Sequence, residues 1–247
     1  MKFSDQVSIV TAAAGAGIGQ ATARALAAEG ATVVISDQHE KRTNEVAEAI
    51  HIKYNVPTTA IVCDVTNKQQ VETLVIRTIE SYGRIDILVN NAGFDVFRSL
   101  QDMDLDDIDK VININLMGMM YATKAVLPWM IKRKTGKIVN LSSIAAYSPD
   151  SGDSAAYAAA KAAIQAFTRS LAREVGQYGI RINAIAPSVT LNPFLEKQMP
   201  PHSIAEITGK MTLGLLKPED QAKAILFLVS DDAAMISGAT LNVTAGY

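Results

Sequence analysis

Residues 6–29 read QVSIVTAAAGAGIGQATARALAAE, and this stretch decides the fold class. Gln6–Thr11 has the apolar and β-branched residues of a short buried strand, and Gln20–Glu29 is predicted to be a helix that ends at Gly30. Between them lies a turn of small residues. Small residues let the backbone approach a ligand closely, and a helix N-terminus offers free N–H groups to an anion. The turn is therefore predicted to hold a pyrophosphate, through Gly15, Gly17, Ile18 and Gly19.

The same alternation of strand and helix continues to the C-terminus. The strands are continuously apolar, which is typical of strands buried on both faces. The pattern predicts an α/β fold, a doubly wound parallel sheet of the Rossmann type with about seven strands and helices on both faces. No linker, repeat or charge block divides the chain, so a single domain over residues 1–247 is expected. The further predicted strands are Thr32–Ser36, Thr59–Cys63, Ile85–Val89, Lys137–Leu141, Arg181–Ala186 and Thr240–Val243, and the further helices are Glu40–Tyr54, Lys68–Tyr82, 105–133 (which Gly118 can interrupt), 155–178 and Pro218–Ser230.

Asp37 follows the second predicted strand, eighteen residues beyond Gly19. A carboxylate at this place accepts hydrogen bonds from ribose hydroxyls and repels a 2′-phosphate. NAD is therefore expected rather than NADP, although Lys41 and Arg42 are near enough in the sequence to offset the repulsion. The alternative for Asp37 is an exposed helix cap. Asp64, which follows the third strand, also has two interpretations: it bonds the adenine amino group, or it caps the next helix.

Tyr157 and Lys161 lie in the alanine-rich stretch from Ala155 to Ala163, which has high helix propensity. Residues four apart lie on one face of a helix, one turn apart. A phenol titrates near pH ~10, and an ammonium group beside it in a partly dry cleft favours the phenolate, which can act as a base. The spacing alone is common, however, and an alanine-rich core helix with both side chains at its edges is the alternative.

Composition excludes several other classes of protein. The net charge is −2 and 19% of residues are charged, which gives no basis for binding nucleic acid or an anionic membrane surface. No signal peptide is expected, because no basic region followed by a long apolar run is seen near Met1, and the sequence has no apolar run of the ~18 residues that span a bilayer. The single cysteine, Cys63, fits a reducing compartment, so a cytoplasmic protein is expected. No metal site is expected, because the three histidines, His39, His51 and His202, lack the spacing of metal ligands.

Together, these motifs resemble the short-chain dehydrogenase/reductase family over essentially the whole chain. The resemblance implies an oxidoreductase that moves a hydride between a nicotinamide cofactor and a secondary alcohol or ketone. The shared segments follow the family's order: Gly17-Ile18-Gly19, Asp37, Asp64-Val65, Asn90-Asn91-Ala92-Gly93, Asn115-Leu116-Met117-Gly118, Ser142-Ser143 and Tyr157 with Lys161. The expected cofactor-binding residues then include Asp37, Asp64, Val65, Asn91, Ala92, Gly93, Tyr157, Lys161, Pro187 and Val189.

The resemblance also implies a role for each polar residue near the substrate. Tyr157 is expected to be the general acid and base, and Ser143 to polarise the substrate oxygen. Lys161 is expected to lower the pKa of Tyr157 and to bind the nicotinamide ribose. Asn115 is expected to hold a water that relays protons from Lys161 to solvent. Ser142 is the alternative to Ser143.

Three segments depart from the family pattern. Ala12-Ala13 stands where the family's turn opens with Thr-Gly, and alanine there costs little unless the backbone needs a positive φ. Pro187-Ser188 replaces Pro-Gly beside the expected nicotinamide position. Val243–Gly246 replaces a common Asp-Gly-Gly segment, and this change has no functional interpretation from sequence alone.

Residues 188–216 are expected to form the family's variable substrate segment. Its apolar side chains suit an apolar substrate such as an acyl thioester or a steroid-like ring, or they simply pack the segment on the sheet. These side chains are Leu191, Phe194, Leu195, Met199, Met211, Leu213, Leu215 and Leu216, interrupted by Pro193, Pro200 and Pro201.

The expected function is NAD-dependent oxidation of an apolar secondary alcohol, or the reverse reduction. By the same resemblance, the helices at 105–133 and 155–178 form subunit contacts, which implies a homo-oligomer, either a dimer or a tetramer. One alternative is an NADPH-dependent 3-oxoacyl-thioester reductase of fatty-acid synthesis, which Asp37 opposes. Another is a nucleotide sensor without turnover, which is opposed by the presence of Asn115, Ser143, Tyr157 and Lys161.

Overall fold

A computed structural model describes residues 1–148, 155–193 and 201–247 of the chain. Within these ranges, seven strands pair in parallel in one sheet, in the order β3-β2-β1-β4-β5-β6-β7. This arrangement confirms the predicted doubly wound parallel sheet. The strands are β1 (Val7–Thr11), β2 (Thr32–Asp37), β3 (Thr58–Val62), β4 (Ile87–Asn90), β5 (Gly136–Leu141), β6 (Ile180–Pro187) and β7 (Thr240–Val243).

Helices cover both faces of the sheet. Helices α1, α2 and α8 share one apolar cluster with the sheet, and α3, α5 and α6 share the other. In each cluster the helices bury one apolar face, as amphipathic helices do. No helix in the described ranges is both long enough and apolar enough to cross a bilayer. The helices are α1 (Ile18–Ala28), α2 (Glu40–Tyr54), α3 (Lys68–Tyr82), α4 (Leu105–Ile112), α5 (Gly118–Arg133), α6 (Ala155–Val175), α7 (Pro201–Gly209) and α8 (Pro218–Val229).

The predicted helix over 105–133 is interrupted immediately before Gly118, which confirms the predicted break near that residue. One π-helical turn, Asn113–Met117, separates α4 from α5, and the Gly118 N–H bonds the Asn113 carbonyl five residues back. A Cβ at Gly118 would come within 2.6 Å of a Val65 methyl group. The glycine therefore lets the helix approach the end of β3.

Helix α7 was not expected, because the stretch before Pro218 has too many prolines to suggest regular structure. Pro201 is the first residue of α7, where the missing N–H has no helical partner to lose. Four of the apolar and proline residues of the substrate segment, Phe194, Leu195, Met199 and Pro200, lie outside the described residues.

The fold places the motif residues at one edge of the sheet. In a parallel sheet all strands end at the same edge, and ligands bind where the strand order reverses direction. Here the reversal lies between β1 and β4, whose neighbours in the sheet are β2 and β5. The residues that end or follow β1, β2, β4, β5 and β6 therefore meet around one crevice.

Candidate active site

Thr11 ties the end of β1 to the end of β4. Its Oγ1 accepts hydrogen bonds from the N–H groups of Asn91, at 3.0 Å, and Ala92, at 3.2 Å. The Asn91 side-chain amide donates in return to the carbonyls of Thr11 and Ala12, at 3.0 and 3.1 Å. These four bonds fix the two central strand ends to each other. Thr11 was not among the site residues predicted from the sequence. The available signal was its position, a threonine immediately before the small-residue turn.

Ala12 adopts a φ of +50°, the left-handed region that favours glycine. The exception to the expectation applies at Ala12, because this backbone position has a positive φ and alanine is therefore strained there. Such strain is of order 1–3 kcal/mol and persists only where the surroundings fix the conformation. The hydrogen bond from Asn91 to the Ala12 carbonyl is part of what fixes it.

The turn before α1 has the form of an anion cradle. A Cβ on Gly19 would overlap the Asn91 side chain and lie 2.8 Å from the Ala12 carbonyl, so only glycine fits. The N-terminus of α1 is Gly17, which provides no side-chain cap, so the first N–H groups of the helix remain available to a ligand. Gly15 and Gly17 leave open space around their Cα atoms. The geometry fits a pyrophosphate.

Asp37 joins the end of β2 to the same turn. One carboxylate oxygen accepts the N–H of Ala14 at 3.2 Å and the other accepts the N–H of His39 at 3.2 Å. Burial raises the pKa of Asp37, while the Ala14 N–H and the nearby Arg42 charge act in the opposite direction. The residue that caps α2 is His39, so Asp37 is not simply a helix cap.

Asp64 lies beside a cleft of about 530 Å³ at the carboxyl ends of β2 and β3. Its carboxylate accepts the N–H and hydroxyl of Thr66, at 2.9 and 2.8 Å. The residue that caps α3 is Asn67, so the alternative interpretation of Asp64 as the cap is wrong. Val65, next to it, is buried against Gly118. Most of the residues that line the cleft are polar. They are Gln38, Asp64, Thr66, Asp106, Asp109, Lys110 and Asn113, together with the apolar Ile114.

Asn115 is buried in the π-helical turn, and its side chain organises the loop after β4. Its amide nitrogen donates to the carbonyls of Phe94, at 2.6 Å, and Val111, at 2.8 Å, and its oxygen accepts the Phe94 N–H at 3.4 Å. A Cβ on Gly93 would lie 3.1 Å from the Asn115 oxygen and 3.5 Å from the Lys161 Nζ. Asn115 and Lys161 therefore flank the same small space beside Gly93.

The structure distinguishes the two serines after β5. The Ser142 hydroxyl is buried and occupied, since it donates to the Lys161 carbonyl at 2.9 Å and accepts from Gln165 at 3.0 Å. The Ser143 hydroxyl accepts the Ala145 N–H at 3.1 Å and is near enough to the Tyr157 phenol to lower its pKa. Ser143 is thus the serine that lies beside Tyr157.

Tyr157 and Lys161 lie one turn apart on α6, with the Lys161 Nζ 5.2 Å from the centre of the phenol ring. The Lys161 ammonium donates to the Leu141 carbonyl at 2.7 Å, and burial lowers its pKa to about 7. Burial raises the pKa of Tyr157 to about 12, the Asp95 charge adds to the rise, and the nearby Ser143 hydroxyl opposes it. The expected lowering of the Tyr157 pKa is the opposite of what this arrangement gives, because desolvation of the phenolate outweighs the other effects.

Pro187, Ser188 and Val189 continue β6 toward the C-terminal residues. The buried Ser188 donates from its hydroxyl to the Thr244 carbonyl at 3.2 Å, and its N–H bonds the Val243 carbonyl at 3.4 Å. The serine that departs from the family pattern therefore pairs with the C-terminal segment that also departs from it. Val189 is partly exposed at the crevice edge.

The C-terminal residues also hold the end of the substrate segment. The Leu213 N–H donates to the Ala245 carbonyl at 2.9 Å, and a Cβ on Gly246, at φ +80°, would overlap the Thr212 hydroxyl. Met211 and Leu216 are buried, whereas Leu213 is 84% exposed and Leu215 is 45% exposed. Some of the apolar side chains therefore pack the segment down, and others are exposed.

Among the described residues, no group of three His, Cys, Asp or Glu side chains is close enough to hold a metal ion. The site therefore consists of backbone N–H groups and carboxylates at β1, β2 and β3, and of the Ser143, Tyr157, Lys161 and Asn115 side chains at β4, β5 and α6.

The chain is similar in sequence to a family model and to proteins of known name. A family model described as enoyl-(acyl carrier protein) reductase matches residues 12–247. A hexahydroindene-carboxyl-CoA reductase of Mycobacterium tuberculosis, (5R,7aS)-5-hydroxy-7a-methyl-1-oxo-2,3,5,6,7,7a-hexahydro-1H-indene-carboxyl-CoA reductase, is 39% identical over 97% of this chain and 92% of its own. The 3-oxoacyl-(acyl-carrier-protein) reductase FabG of Thermotoga maritima is 38% identical over 100% of this chain and 99% of its own.

A solved structure is also similar to the fold of this chain. A 7α-hydroxysteroid dehydrogenase, complexed with NADH and 7-oxo glycochenodeoxycholic acid, superposes with a TM-score of 0.94. It is 32% identical, and the match covers 99% of this chain and 95% of that one.

Proposed function

The chain belongs to the short-chain dehydrogenase/reductase family, an oxidoreductase family that acts on CH–OH groups with a nicotinamide cofactor, and we propose that it uses NAD(H) to interconvert an apolar secondary alcohol and its ketone. The observation that carries the proposal is the juxtaposition of Ser143, Tyr157 and Lys161 beside Gly93, at the edge of the crevice that also contains the anion cradle. We take residues 1–247 as one catalytic domain.

The residues present fit a dinucleotide. The turn at Gly15, Gly17, Ile18 and Gly19 would hold the pyrophosphate, and Asp37 would accept hydrogen bonds from the adenosine ribose. When bound, the cofactor accepts a hydride from the alcohol carbon or gives one to the ketone carbon. The other residues proposed to contact it are Asp64, Val65, Asn91, Ala92, Gly93, Tyr157, Lys161, Pro187 and Val189.

Tyr157 would hold the proton at the substrate oxygen. In reduction the protonated phenol donates to that oxygen, and in oxidation the phenolate removes the hydroxyl proton. Ser143 would bond the same oxygen and stabilise negative charge as it develops. Because burial raises the Tyr157 pKa to about 12, the phenol is ready to donate at neutral pH, and oxidation first requires its deprotonation.

Lys161 and Asn115 would supply the route by which this proton reaches solvent. An ammonium group has three donors, and the bond to Leu141 uses one of them. The others are free to reach a ribose hydroxyl or a water beside Gly93, where the Asn115 oxygen is also within reach. Both residues are therefore placed for a relay.

The substrate side favours an apolar compound. Leu213 and Leu215 are exposed on the substrate segment, and Phe94 and Val96 pack in one apolar cluster with Tyr157. Two similar proteins are named for large ring substrates, a hexahydroindene-carboxyl-CoA and a bile-acid steroid. An acyl thioester or steroid-like ring is the class we propose.

A second candidate is NADPH-dependent reduction of a 3-oxoacyl thioester. It is favoured by the position of Arg42, whose charge reaches Asp37, and by the likeness to FabG. An arginine beside the ribose can offset the repulsion between Asp37 and a 2′-phosphate.

We further propose that the protein is a cytoplasmic homo-oligomer, a dimer or a tetramer, with contacts through α4, α5 and α6. Leu105, at the start of α4, is 79% exposed, which an interface of this kind would cover.

The test is a panel of hydroxysteroids, 3-hydroxyacyl thioesters and short secondary alcohols, assayed with NAD and with NADP by the absorbance of the reduced nicotinamide. NAD-dependent turnover of a bulky apolar alcohol would support the proposal. Preference for NADP with thioesters would replace it by the second candidate, and absence of turnover despite binding of NADH would contradict both.

A further inference from the structure

Gln221 is a fully buried polar residue of α8 that has no part in the mechanism above. The other buried residues of this helix, Ala222, Ile225, Leu228 and Val229, are apolar. The side-chain oxygen of Gln221 is buried and accepts no hydrogen bond from the part of the chain that the structure describes. A buried acceptor without a partner opposes folding, and an apolar side chain would avoid that cost. Packing alone therefore does not account for a glutamine at this position.

The amide nitrogen of Gln221 begins a chain of hydrogen bonds. It donates to the Thr190 hydroxyl at 3.1 Å and to the Val243 carbonyl at 3.0 Å. A carbonyl can only accept, so the bond to Val243 fixes which way the amide points. The Thr190 hydroxyl in turn donates to the Ser188 carbonyl at 3.2 Å. The chain of bonds thus runs from α8 to the backbone that follows β6.

That backbone, residues 188–192, crosses the crevice from the reacting groups to the anion cradle. At its start, the Ser142 N–H donates to the Ile185 carbonyl at 2.8 Å, so β6 ends beside the serines that follow β5. At its far end, the Asn192 amide nitrogen lies 4.0 Å from the position of a Cβ on Gly17. A dinucleotide with its pyrophosphate in the cradle and its nicotinamide beside the reacting tyrosine would therefore lie along this backbone.

The same backbone is joined to the substrate segment. Thr190 forms a parallel bridge with Leu216, and the Leu191 N–H donates to the Leu216 carbonyl at 3.3 Å. A shift of Thr190 would therefore move the backbone beside the nicotinamide and the end of the substrate segment together.

We propose that Gln221 is a positioning residue that acts through Thr190 and holds residues 188–190 where they contact the nicotinamide. The proposal rests on the proposed function, because it assumes that a nicotinamide cofactor occupies the crevice. The adenosine and pyrophosphate contacts, at Asp37 and in the cradle, do not depend on this chain of bonds. Loss of the Gln221 donor should therefore weaken the contact with the nicotinamide and leave the rest of the cofactor site in place.

The experiment measures the dissociation constants of NADH and ADP-ribose by titration calorimetry. ADP-ribose has a hydroxyl group in place of the nicotinamide, so the ratio of its dissociation constant to that of NADH isolates the contact under test. The proteins are the wild type, Gln221→Met, Thr190→Val, the double variant and a control, Thr78→Val. Methionine has about the length of glutamine without its donor, and valine has the shape of threonine without its hydroxyl.

Thr78→Val is the matched control. Thr78 is also fully buried, and its hydroxyl donates to the Leu74 carbonyl at 2.7 Å within α3, away from the crevice. Urea unfolding of each variant without ligand records any loss of stability. A merely structural role would lower the unfolding free energy and leave the ratio of dissociation constants unchanged.

The wild type should bind NADH at least about tenfold more tightly than ADP-ribose. Gln221→Met and Thr190→Val should each lower that ratio about fivefold, the effect of one neutral hydrogen bond. The double variant should lower it little further, because both substitutions break the same chain of bonds. Thr78→Val should keep the wild-type ratio.

An unchanged ratio in Gln221→Met, with both ligands weakened equally, would overturn the proposal. Equal affinity of the wild type for the two ligands would also overturn it, and so would a fall of the ratio in Thr78→Val as large as in Thr190→Val. If Gln221→Met does not fold, Thr190→Val decides alone, because valine preserves the packing of threonine.

These binding measurements need no alcohol, which separates the proposal from the proposed function. If no alcohol of the panel were turned over, the proposed function would fail, while the ratio of dissociation constants would still decide the role of Gln221. Turnover of an alcohol with an unchanged ratio in both single variants would leave the proposed function in place and overturn the role of Gln221.

Discussion

The nucleotide side and the substrate side of the crevice are built in different ways. On the nucleotide side, backbone groups and glycines form the surface, and Thr11 and Asn91 lock two central strands together. On the substrate side, a segment beyond β6 is held at its far end by the C-terminal residues, through Leu213 and Ala245. The fixed backbone of the nucleotide side restricts the shape of the ligand that it can bind. On the substrate side, side chains of the segment can be substituted without disturbing the sheet.

The largest effect is expected from a substitution at the junction of the two sides. Tyr157→Phe removes the proton that the substrate oxygen exchanges, so turnover should fall by at least about a thousandfold. Binding of NADH should remain nearly intact, because the Tyr157 hydroxyl is only one of many groups proposed to contact the cofactor. Steady-state kinetics and NADH fluorescence titration measure the two quantities, with Tyr147→Phe, an exposed tyrosine of the preceding loop, as the control. Retained turnover in Tyr157→Phe would refute the role of the phenol.

Gly19→Ala should damage the nucleotide side alone. The new methyl group would meet the Asn91 side chain and the Ala12 carbonyl, which cannot both move without breaking the link between β1 and β4. Overpacking of this kind costs about 1–3 kcal/mol of unfolding free energy, and NADH affinity should fall with it. Gly15→Ala, which meets nothing within 4 Å, is the matched control in denaturant unfolding without cofactor. Equal stability of the two variants would contradict the fixed geometry of this turn.

Asp37→Ala should alter which nucleotide is selected without disturbing the substrate side. Loss of the carboxylate removes the repulsion of a 2′-phosphate and the acceptor for the ribose hydroxyls, so the ratio of kcat/KM for NADP to that for NAD should rise about tenfold or more. Glu48→Ala, an exposed acid further along α2, should leave the ratio unchanged. The KM for the alcohol should move little in either variant. An unchanged ratio in Asp37→Ala would mean that another residue selects the nucleotide.

The smallest effect is expected from Gly246→Ala on the substrate side. A side chain at this positive φ would push against Thr212 and loosen the hold of the C-terminal residues on the substrate segment. The KM for the alcohol should rise several-fold, and the dissociation constant of NADH should stay at its wild-type value. Gly83→Ala, with φ +71° and open space around it, carries a similar backbone penalty of ~1–2 kcal/mol far from the crevice. If both variants raised the KM equally, the effect would be general destabilisation.

The positions of the motif residues in the fold could be predicted because their signals are local. Asp37 ends β2, and Tyr157 and Lys161 are separated by one helical turn, so strand ends and helical spacing were enough to place them. The doubly wound parallel sheet followed from the alternating pattern of strands and helices.

The remaining features depend on contacts between distant residues. Thr11 meets Asn91 across eighty residues, and the charge of Asp95 reaches Tyr157 only after β5 and α6 have folded back. The raised pKa of Tyr157 is a property of burial, which no spacing of residues encodes. The π-helical turn that buries Asn115 has a register that the apolar periodicity does not reveal. The substrate segment is held by the C-terminal residues. The departure of these residues from the family pattern could not be interpreted from the sequence, because their contact with the segment exists only in the folded chain.

The pH dependence of catalysis in the two directions tests the central claim, that Tyr157 exchanges a proton with the substrate oxygen. Since burial raises the Tyr157 pKa, the phenol is protonated at neutral pH, and oxidation should gain about tenfold in kcat/KM per pH unit as the pH rises toward that pKa. Ketone reduction should instead be level at neutral pH and fall in strong alkali, and the residual activity of Tyr157→Phe should lack both dependences. Oxidation that is independent of pH in the wild type, or a Tyr157→Phe variant that keeps the wild-type profile, would contradict the account.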